Sequence, residues 1–199
     1  MKAVEKDSNG KWLDVSGFRE AGEYFLKHNE NYCLEPWGSS AWYEFWKEER
    51  RRCRNGHEVN GHKIPGDYYF YLNYCPIQVI KTGIRGESIR TIDFPSVWDG
   101  HYYKYHYLNQ CRQCGKHAVE LSRRGCGKSY CGAALLAKRF ILGESKKVTK
   151  KVQCVVTASD KKYISGANQI LDMFQSYIDF CATNTQFPSR RLVSSVQKL

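Results

Sequence analysis

LSRRGCGKSYCGAALLAKRFIL, residues 121–142, is the stretch that decides the expected fold. A Gly-Lys-Ser triplet beginning at Gly127 forms the end of the Walker A pattern G-x-x-x-x-G-K-[ST], although Ser122 occupies the place of its first glycine. The residues AVEL before the loop are typical of a strand, and residues 129–142 are apolar enough to predict a helix buried on most sides. The stretch therefore predicts a strand, a glycine-rich turn and a buried helix.

The residue types in this turn suit the binding of phosphate groups. Gly125 and Gly127 lack a Cβ, so the backbone amides of 123–128 can curl around an anion. The Lys128 amine can reach β- and γ-phosphates as a point charge, and the Ser129 hydroxyl can ligate Mg²⁺. The alternative is an ordinary glycine turn followed by a solvated lysine.

Arg123 and Arg124 precede the glycines and are the candidates for a catalytic role. Either one can lie over a γ-phosphate as an arginine finger, which is worth about 10³–10⁵ in rate. The alternative is two surface arginines that meet nucleic acid or water. The candidate nucleotide-binding residues are Gly125, Cys126, Gly127, Lys128 and Ser129, and Ser129 is also the candidate metal ligand.

The segments that follow the loop extend an alternation of strands and helices. HAVEL (117–121) and KVQCVVTAS (151–159) predict strands. The apolar stripe of 160–183 predicts one long amphipathic helix, with Ser159 or Asp160 as its cap. Because such alternation implies parallel strands and right-handed crossovers, we expect an α/β fold with a P-loop NTPase-like βαβα unit and a partial parallel sheet.

The region before the loop predicts helices and a β-hairpin rich in aromatic residues. The expected elements are a helix at 16–29 capped by Ser16, a helix at 38–56 capped by Ser39 or Ser40 and stopped by Gly56, a short helical or extended stretch at 67–74, strands at 77–82 and 87–94, and a helix at 94–111 that begins with Pro95 and Ser96. The predicted division is an N-terminal helical and hairpin region, 1–93, and a nucleotide-binding segment, 94–199.

Composition adds expectations about partners and compartment. The chain of 199 residues has a net charge of +11, and such a charge attracts polyanions, most often nucleic acid. The sequence shows neither an apolar run of the roughly 20 residues needed to span a bilayer nor a signal peptide, so we expect a cytoplasmic protein whose nine cysteines are reduced. Cys111 and Cys114 form half of a zinc-site pattern, with two thiols at a helix end as the alternative.

The loop, the helix after it, KVQCVVTAS and the amphipathic segment together resemble the start of the ATPase domain of large terminase subunits, the DNA-packaging motors of tailed bacteriophages. That family often lacks the first glycine of the loop and carries arginines in its middle. The resemblance covers about residues 60–185. It implies ATP and Mg²⁺ as ligands, Lys128 and Ser129 as their contacts, and Arg123 or Arg124 as the γ-phosphate sensor.

The resemblance also implies an adenine site and a set of partners. The candidate adenine contacts are Phe94, Pro95 and Trp98, which precede the loop. The implied partners are double-stranded DNA, the portal, the small terminase subunit and further copies of the chain in a ring, with no membrane. The implied location is the host cytoplasm, because the protein would be encoded by a virus.

The sequence departs from the terminase pattern in its acidic residues. It has no apolar strand that ends in Asp-Glu, since Asp179 falls on the predicted long helix, and it has no cluster of nuclease carboxylates. We therefore expect the N-terminal piece of a longer motor, in which ATP binding is better supported than hydrolysis. The alternatives are a basic nucleic-acid-binding module without hydrolysis and a zinc-stabilised interaction module.

Overall fold

The structure is a computed structural model that describes residues 16–84, 86–143 and 155–188. These ranges form a mixed α/β protein with six α-helices and two small antiparallel sheets. The elements are, in chain order, α1 (Glu20–Lys27), α2 (Ser40–Asn55), β1 (His57–Val59), β2 (His62–Ile64), α3 (Gly66–Tyr74), β3 (Ile77–Thr82), β4 (Ser88–Asp93), α4 (Asp99–Gln113), α5 (Lys128–Leu142), a 3-10 helix (Lys161–Tyr163) and α6 (Ile170–Asn184).

Helix α3 lies at the centre of the structure and contacts α1, α2, α4, α5 and α6. Every residue of this nine-residue helix is buried. Its sequence GDYYFYLNY places large rings on all sides, and a helix that is apolar all round is stable only when neighbours cover all of it. The Tyr68 ring stacks on that of Tyr105 in α4, with centroids 5.1 Å apart. Helix α3 is therefore the element around which the others pack.

The ends of α2 confirm the sequence-based prediction. Ser39 is its N-cap, and the Ser39 side chain accepts a hydrogen bond from the Trp42 amide at 3.2 Å. The chain leaves the helix at Gly56, whose φ of +91° favours glycine. The predicted start of α1 was wrong, because α1 begins at Glu20 with Arg19 as a cap that makes no side-chain bond.

The predicted hairpin is confirmed as the antiparallel pair β3–β4, in which Ile77 lies opposite Asp93. A second hairpin, β1–β2, was not predicted. Its turn contains Asn60 and Gly61, both with positive φ, and an Asn-Gly pair is a strong local signal for such a turn. Helix α4 begins at Asp99, later than expected, because residues 94–98 belong to no helix and the N-cap Trp98 has an extended conformation.

The predicted parallel sheet is not found within the described ranges. Residues 117–121 form no strand, and the side chains of Val119 and Leu121 are 78% and 94% exposed. Residues 155–158 also lie outside any strand, while 151–154 fall outside the described residues. A strand exists only when a neighbour accepts its amide hydrogen bonds, and the described chain supplies none at this place.

The prediction of one helix over 160–183 was also wrong, whereas the helix predicted at 129–142 is confirmed as α5. The chain forms the short 3-10 helix, breaks, and then enters α6. Gly166 has a φ of +132° and Asn168 a φ of +61°, and neither fits a right-handed helix. The apolar residues do recur at a helical spacing, but this spacing gave no indication that the helix is interrupted.

One hydrophobic cluster includes residues from both parts of the predicted division at residue 93. The Phe25 ring lies 5.4 Å from that of Phe180, and the Trp46 ring lies 5.8 Å from that of Phe187. The division into 1–93 and 94–199 stays a prediction. Among the helices that the structure describes, none is both long and apolar enough to cross a membrane.

Candidate functional site

Residues 122–127, here called the phosphate loop, turn sharply just ahead of α5. Gly125 has a φ of +86° and Gly127 a φ of +75°, and both conformations favour glycine. Lys128 is the first residue of the 15-residue helix α5, so the loop ends at a helix N-terminus. The loop therefore has the curved path that an anion-binding nest needs.

The Lys128 amine is folded back onto the phosphate loop. Its Nζ donates to the carbonyl oxygens of Ser122 at 2.8 Å and Arg123 at 2.6 Å. The third neighbour is the Cys126 Sγ at 3.5 Å, which is a weak acceptor. Because an ammonium group has three donors, a phosphate oxygen can take the place of the thiol without breaking either carbonyl bond.

The environment of Cys126 is polar and cationic. Hydrogen bonding to the Ser122 side chain and the nearby charge of Lys128 lower the pKa of the Cys126 thiol. The Cys126 Sγ also donates to the Arg123 carbonyl oxygen at 3.0 Å. The thiol therefore helps to hold the loop in its curved form.

The backbone amides of the loop are suited to an anion. Within the described ranges, the amides of residues 123–127 donate to no backbone carbonyl. The first turn of any α-helix likewise leaves amides without partners inside the helix, and its dipole favours negative charge there. Amide donors, a lysine and a helix N-terminus thus occur at one place, as in known phosphate sites.

His101 of α4 contacts the phosphate loop through its ring. Its Nε2 lies 2.9 Å from the Cys126 carbonyl oxygen, and its ring is 8% exposed. Burial lowers the pKa of His101, which favours the neutral ring, and a carbonyl partner requires the proton on Nε2. A Cβ at Gly127 would lie 3.2 Å from the His101 ring, so glycine allows this close contact.

A cavity of about 510 Å³ opens beside the phosphate loop, and we call it the loop cavity. Its volume is within the range of small-molecule sites. The lining residues come from five parts of the chain and are Tyr71, Ile77, Gln78, Trp98, His101, Arg124, Gly125, Cys126, Gly127, Lys128, Ser129, Tyr130 and Met173. None of these side chains is a carboxylate, so the cavity is electrostatically open to an anion.

The structure brings most of the predicted site residues together at the loop cavity. The predicted residues that line it are Arg124, Gly125, Cys126, Gly127, Lys128, Ser129 and Trp98. Arg123 is exposed and contributes its carbonyl oxygen to Lys128 instead. Phe94 does not line the cavity, because it is 2% exposed and packs on Phe25 with ring centroids 5.8 Å apart. Its neighbour Pro95 is also buried.

Several lining residues were missed by sequence reasoning. Tyr71, Gln78 and His101 lie between 20 and 60 residues before the loop in the chain, and Met173 lies after it. No local spacing links them to the glycines, because the fold of α3, β3, α4 and α6 brings them into contact. Only the aromatic density before the loop indicated that this segment was relevant.

Metal ligation is limited in the part of the chain that the structure describes. There, no group of three or more His, Cys, Asp or Glu side chains is arranged to hold an ion. Cys111 is half-buried and Cys114 is exposed, and both are free thiols. Within the described residues, therefore, no further ligand joins Cys111 and Cys114 to complete a zinc site.

No protein-family model matches this chain, and no curated protein or solved structure is significantly similar to it. Function is therefore inferred from the phosphate loop and the loop cavity.

Proposed function

We propose that the loop cavity binds ATP with Mg²⁺, and that this chain is the nucleotide-binding segment of a viral DNA-packaging motor of the large-terminase type. The observation that carries the proposal is the position of the Lys128 amine. It is held by the Ser122 and Arg123 carbonyls at the start of α5 and lines the loop cavity. A lysine in this position can meet a phosphate group without moving its backbone.

The phosphate end of the ligand is assigned to the loop. The amides of 123–127 and the Lys128 amine would bind the β- and γ-phosphates, and Arg124 would compensate charge on the γ-phosphate. The Ser129 side chain is exposed in the first turn of α5 and would ligate Mg²⁺. The bound ion would supply further charge compensation between the phosphates.

The nucleoside end is assigned to the lining residues outside the phosphate loop. Trp98 offers a partly exposed ring for stacking, and Ile77 offers an apolar surface. The Gln78 side chain is the amide among the lining residues, and a glutamine amide can pair with the N6 and N7 edge of adenine. This chemistry favours adenine over guanine, whose matching edge carries two acceptors.

Binding is better supported than hydrolysis. No carboxylate lines the loop cavity, so the described residues offer no base to orient water and no acidic partner for Mg²⁺. In a P-loop fold, residues 117–121 would form the strand before the loop, and the exposed Val119 and Leu121 are side chains that such a sheet would bury. The isolated chain should therefore bind ATP without turning it over.

The wider role follows from the same proposal. The motor would act in the host cytoplasm on double-stranded DNA, as a ring of copies that docks on a portal and works with a small terminase subunit. The net charge of +11 suits a nucleic-acid partner. No membrane partner is proposed.

Thermal unfolding with and without ATP·Mg²⁺ tests nucleotide binding. Ligand at 100 times its Kd should add about 2.7 kcal/mol to stability and raise Tm by roughly 5–10 °C. Lys128→Ala should reduce the shift to about half or less, and the exposed Lys116→Ala should retain it. Ser129→Ala should bind equally with and without Mg²⁺. An unshifted Tm in the wild-type chain would refute the proposal.

The second candidate is a basic nucleic-acid-binding module in which the phosphate loop meets backbone phosphates. The observation that favours it is the net charge together with the exposed side chains of Arg123, Arg124 and Lys128. In that case ATP·Mg²⁺ leaves Tm unchanged, while duplex DNA binds with a steep salt dependence that Lys128→Ala reduces.

A further inference from the structure

A second cavity, of about 880 Å³, lies at the other end of α5 and is here called the basic cavity. Its cationic side chains come from α2, β2, α4 and α5 and are Arg54, Lys63, Arg112, Lys138 and Arg139. We propose that the basic cavity binds a compact polyphosphate anion. This site is separate from the loop cavity, and the proposal does not depend on ATP binding there.

The charge of the basic cavity is strongly unbalanced. Asp67 is the carboxylate among its described lining residues, and five cationic side chains share the same walls. One Asp67 oxygen accepts from Arg112 Nη2 at 2.7 Å, and the other accepts from Lys138 Nζ. Asp67 thus fixes two of the cations, and the lining residues that the structure describes carry more positive than negative charge.

The helix ends around the cavity also favour an anion. The first turn of α3, at Pro65 and Gly66, lines the cavity with the positive end of that helix. The C-terminal end of α5 is the negative end of that helix and would repel an anion. Arg54 Nη2 offsets this effect by donating a hydrogen bond to the Leu142 carbonyl oxygen at 2.8 Å. This bond also orients the guanidinium, whose buried Nε has no hydrogen-bond partner among the described atoms.

The other lining groups point to a compact ligand rather than to a nucleic-acid strand. Neutral amides of Asn55, Asn109 and Gln110 add donors beside the cations. His106 contributes the aromatic ring of the lining, but its Nε2 is bonded to the Lys63 carbonyl oxygen at 2.7 Å, and burial lowers its pKa. Binding of a single strand uses several aromatic rings on which bases stack. A volume of this size instead suits a small molecule.

The two cavities are far enough apart to be studied separately. Lys128 lines the loop cavity and Lys138 lines the basic cavity, and ten residues of helix correspond to about 15 Å. Lys128→Ala should therefore weaken phosphate binding at the loop about 10–100-fold while leaving the residues of the basic cavity unchanged. The full chain with this substitution is therefore the protein to titrate.

Calorimetric titration with inorganic tripolyphosphate tests the proposal. The Lys128→Ala chain should bind it, and the added Lys63→Glu or Arg139→Gln should weaken binding at least tenfold. Lys63 has an exposed side chain, so its replacement should leave the Tm and the near-UV circular dichroism unchanged. The matched control is Lys27→Glu, the same charge change at an exposed position of α1, which should weaken binding less than twofold.

Three outcomes would overturn the proposal. The first is no binding of tripolyphosphate to the Lys128→Ala chain. The second is equal weakening by Lys63→Glu and Lys27→Glu, which would show a net-charge effect rather than a site. The third is duplex DNA that binds through Lys63 and Arg139 while tripolyphosphate does not, which would assign the cavity to nucleic-acid backbone phosphates.

Discussion

Helix α3 and the segment that leads into the phosphate loop are opposites in burial. All residues of α3 are buried, whereas residues 116–125 are all exposed, apolar Val119 and Leu121 included. The difference shows which region of the chain is tightly packed and which is not. Stability is concentrated around α3, and the proposed ligand chemistry lies on a segment that the core supports mainly through His101 and Lys104.

The contact through Lys104 is an ion pair. Its Nζ lies 2.8 Å from the Glu120 carboxylate, and Glu120 also accepts from the Ser122 hydroxyl at 2.9 Å. Together with the His101 bond, this contact ties the exposed segment to α4. We therefore expect substitutions in α3 to lower the free energy of unfolding strongly and substitutions in the phosphate loop to lower it less.

The largest loss is expected for Phe70→Ala. Phe70 is fully buried beside Tyr74 and Phe187, with ring centroids 5.8 Å and 6.4 Å away. Removing the ring leaves a cavity and should cost about 3–5 kcal/mol in the free energy of unfolding. Urea denaturation measures this, and Leu121→Ala should change it by less than about 0.5 kcal/mol. Equal losses would contradict the comparison.

Asp67→Asn should cost about 3 kcal/mol at pH 7, because it leaves the buried Lys138 without its counter-ion. Burial alone would raise the pKa of Asp67, but the charges of Lys138 and Arg112 outweigh it and the net pKa lies below the usual value. The stabilisation is therefore complete above the unfolded pKa of about 4 and is lost as pH falls through the lower folded pKa.

The difference in stability between wild type and Asp67→Asn should accordingly shrink as the pH falls below about 4. Urea denaturation at pH 7, 5, 3 and 2 measures it. Asp179→Asn serves as the control, because Asp179 is exposed on α6 and should show little difference at any pH. A difference that stays constant down to pH 2 would show that the ion pairs do not stabilise the core.

A moderate loss, about 1–2 kcal/mol, is expected for Gly127→Ala. The positive φ disfavours alanine, and the new Cβ meets the His101 ring at 3.2 Å. Gly125→Ala has a similar φ but open space around it, so it carries the backbone cost alone. Denaturation of both variants isolates the His101 contact. A smaller loss at Gly127 than at Gly125 would mean that His101 does not support the loop.

The smallest effect on stability is expected for Lys128→Ala, about 0.5 kcal/mol or less, because the side chain is exposed. Its effect on ATP binding should be large, about 10–100-fold, because charge-assisted hydrogen bonds to phosphate are lost. Denaturation and calorimetry on the same preparation compare the two. A loss above 2 kcal/mol in the free energy of unfolding would indicate that Lys128 stabilises the fold rather than a bound ligand.

Features fixed by neighbouring residues could be predicted from the sequence. Ser39 caps α2 through its own side chain, Gly56 ends that helix, and the β3–β4 hairpin follows from two short strands around a glycine-containing turn. The curvature of the phosphate loop follows in the same way from Gly125 and Gly127. These features depend on local backbone preferences, which one sequence displays directly.

Features fixed by distant contacts could not be predicted. HAVEL has the composition of a strand, but strand formation depends on a partner that the described chain does not provide. The bond from His101 to Cys126 and the place of Gln78 in the loop cavity arise only when α3 brings their elements together. The aromatic density of α3 was visible, although its role as the central helix depends on five neighbours.

Helices α4 and α5 each run from one cavity to the other. In α4, His101 lines the loop cavity and Arg112 lines the basic cavity, and in α5 the same holds for Lys128 and Arg139. Residues of the same two helices therefore form part of the wall of both cavities. A helix moves nearly as a rigid rod, so a ligand that shifts either helix at one end also shifts its other end.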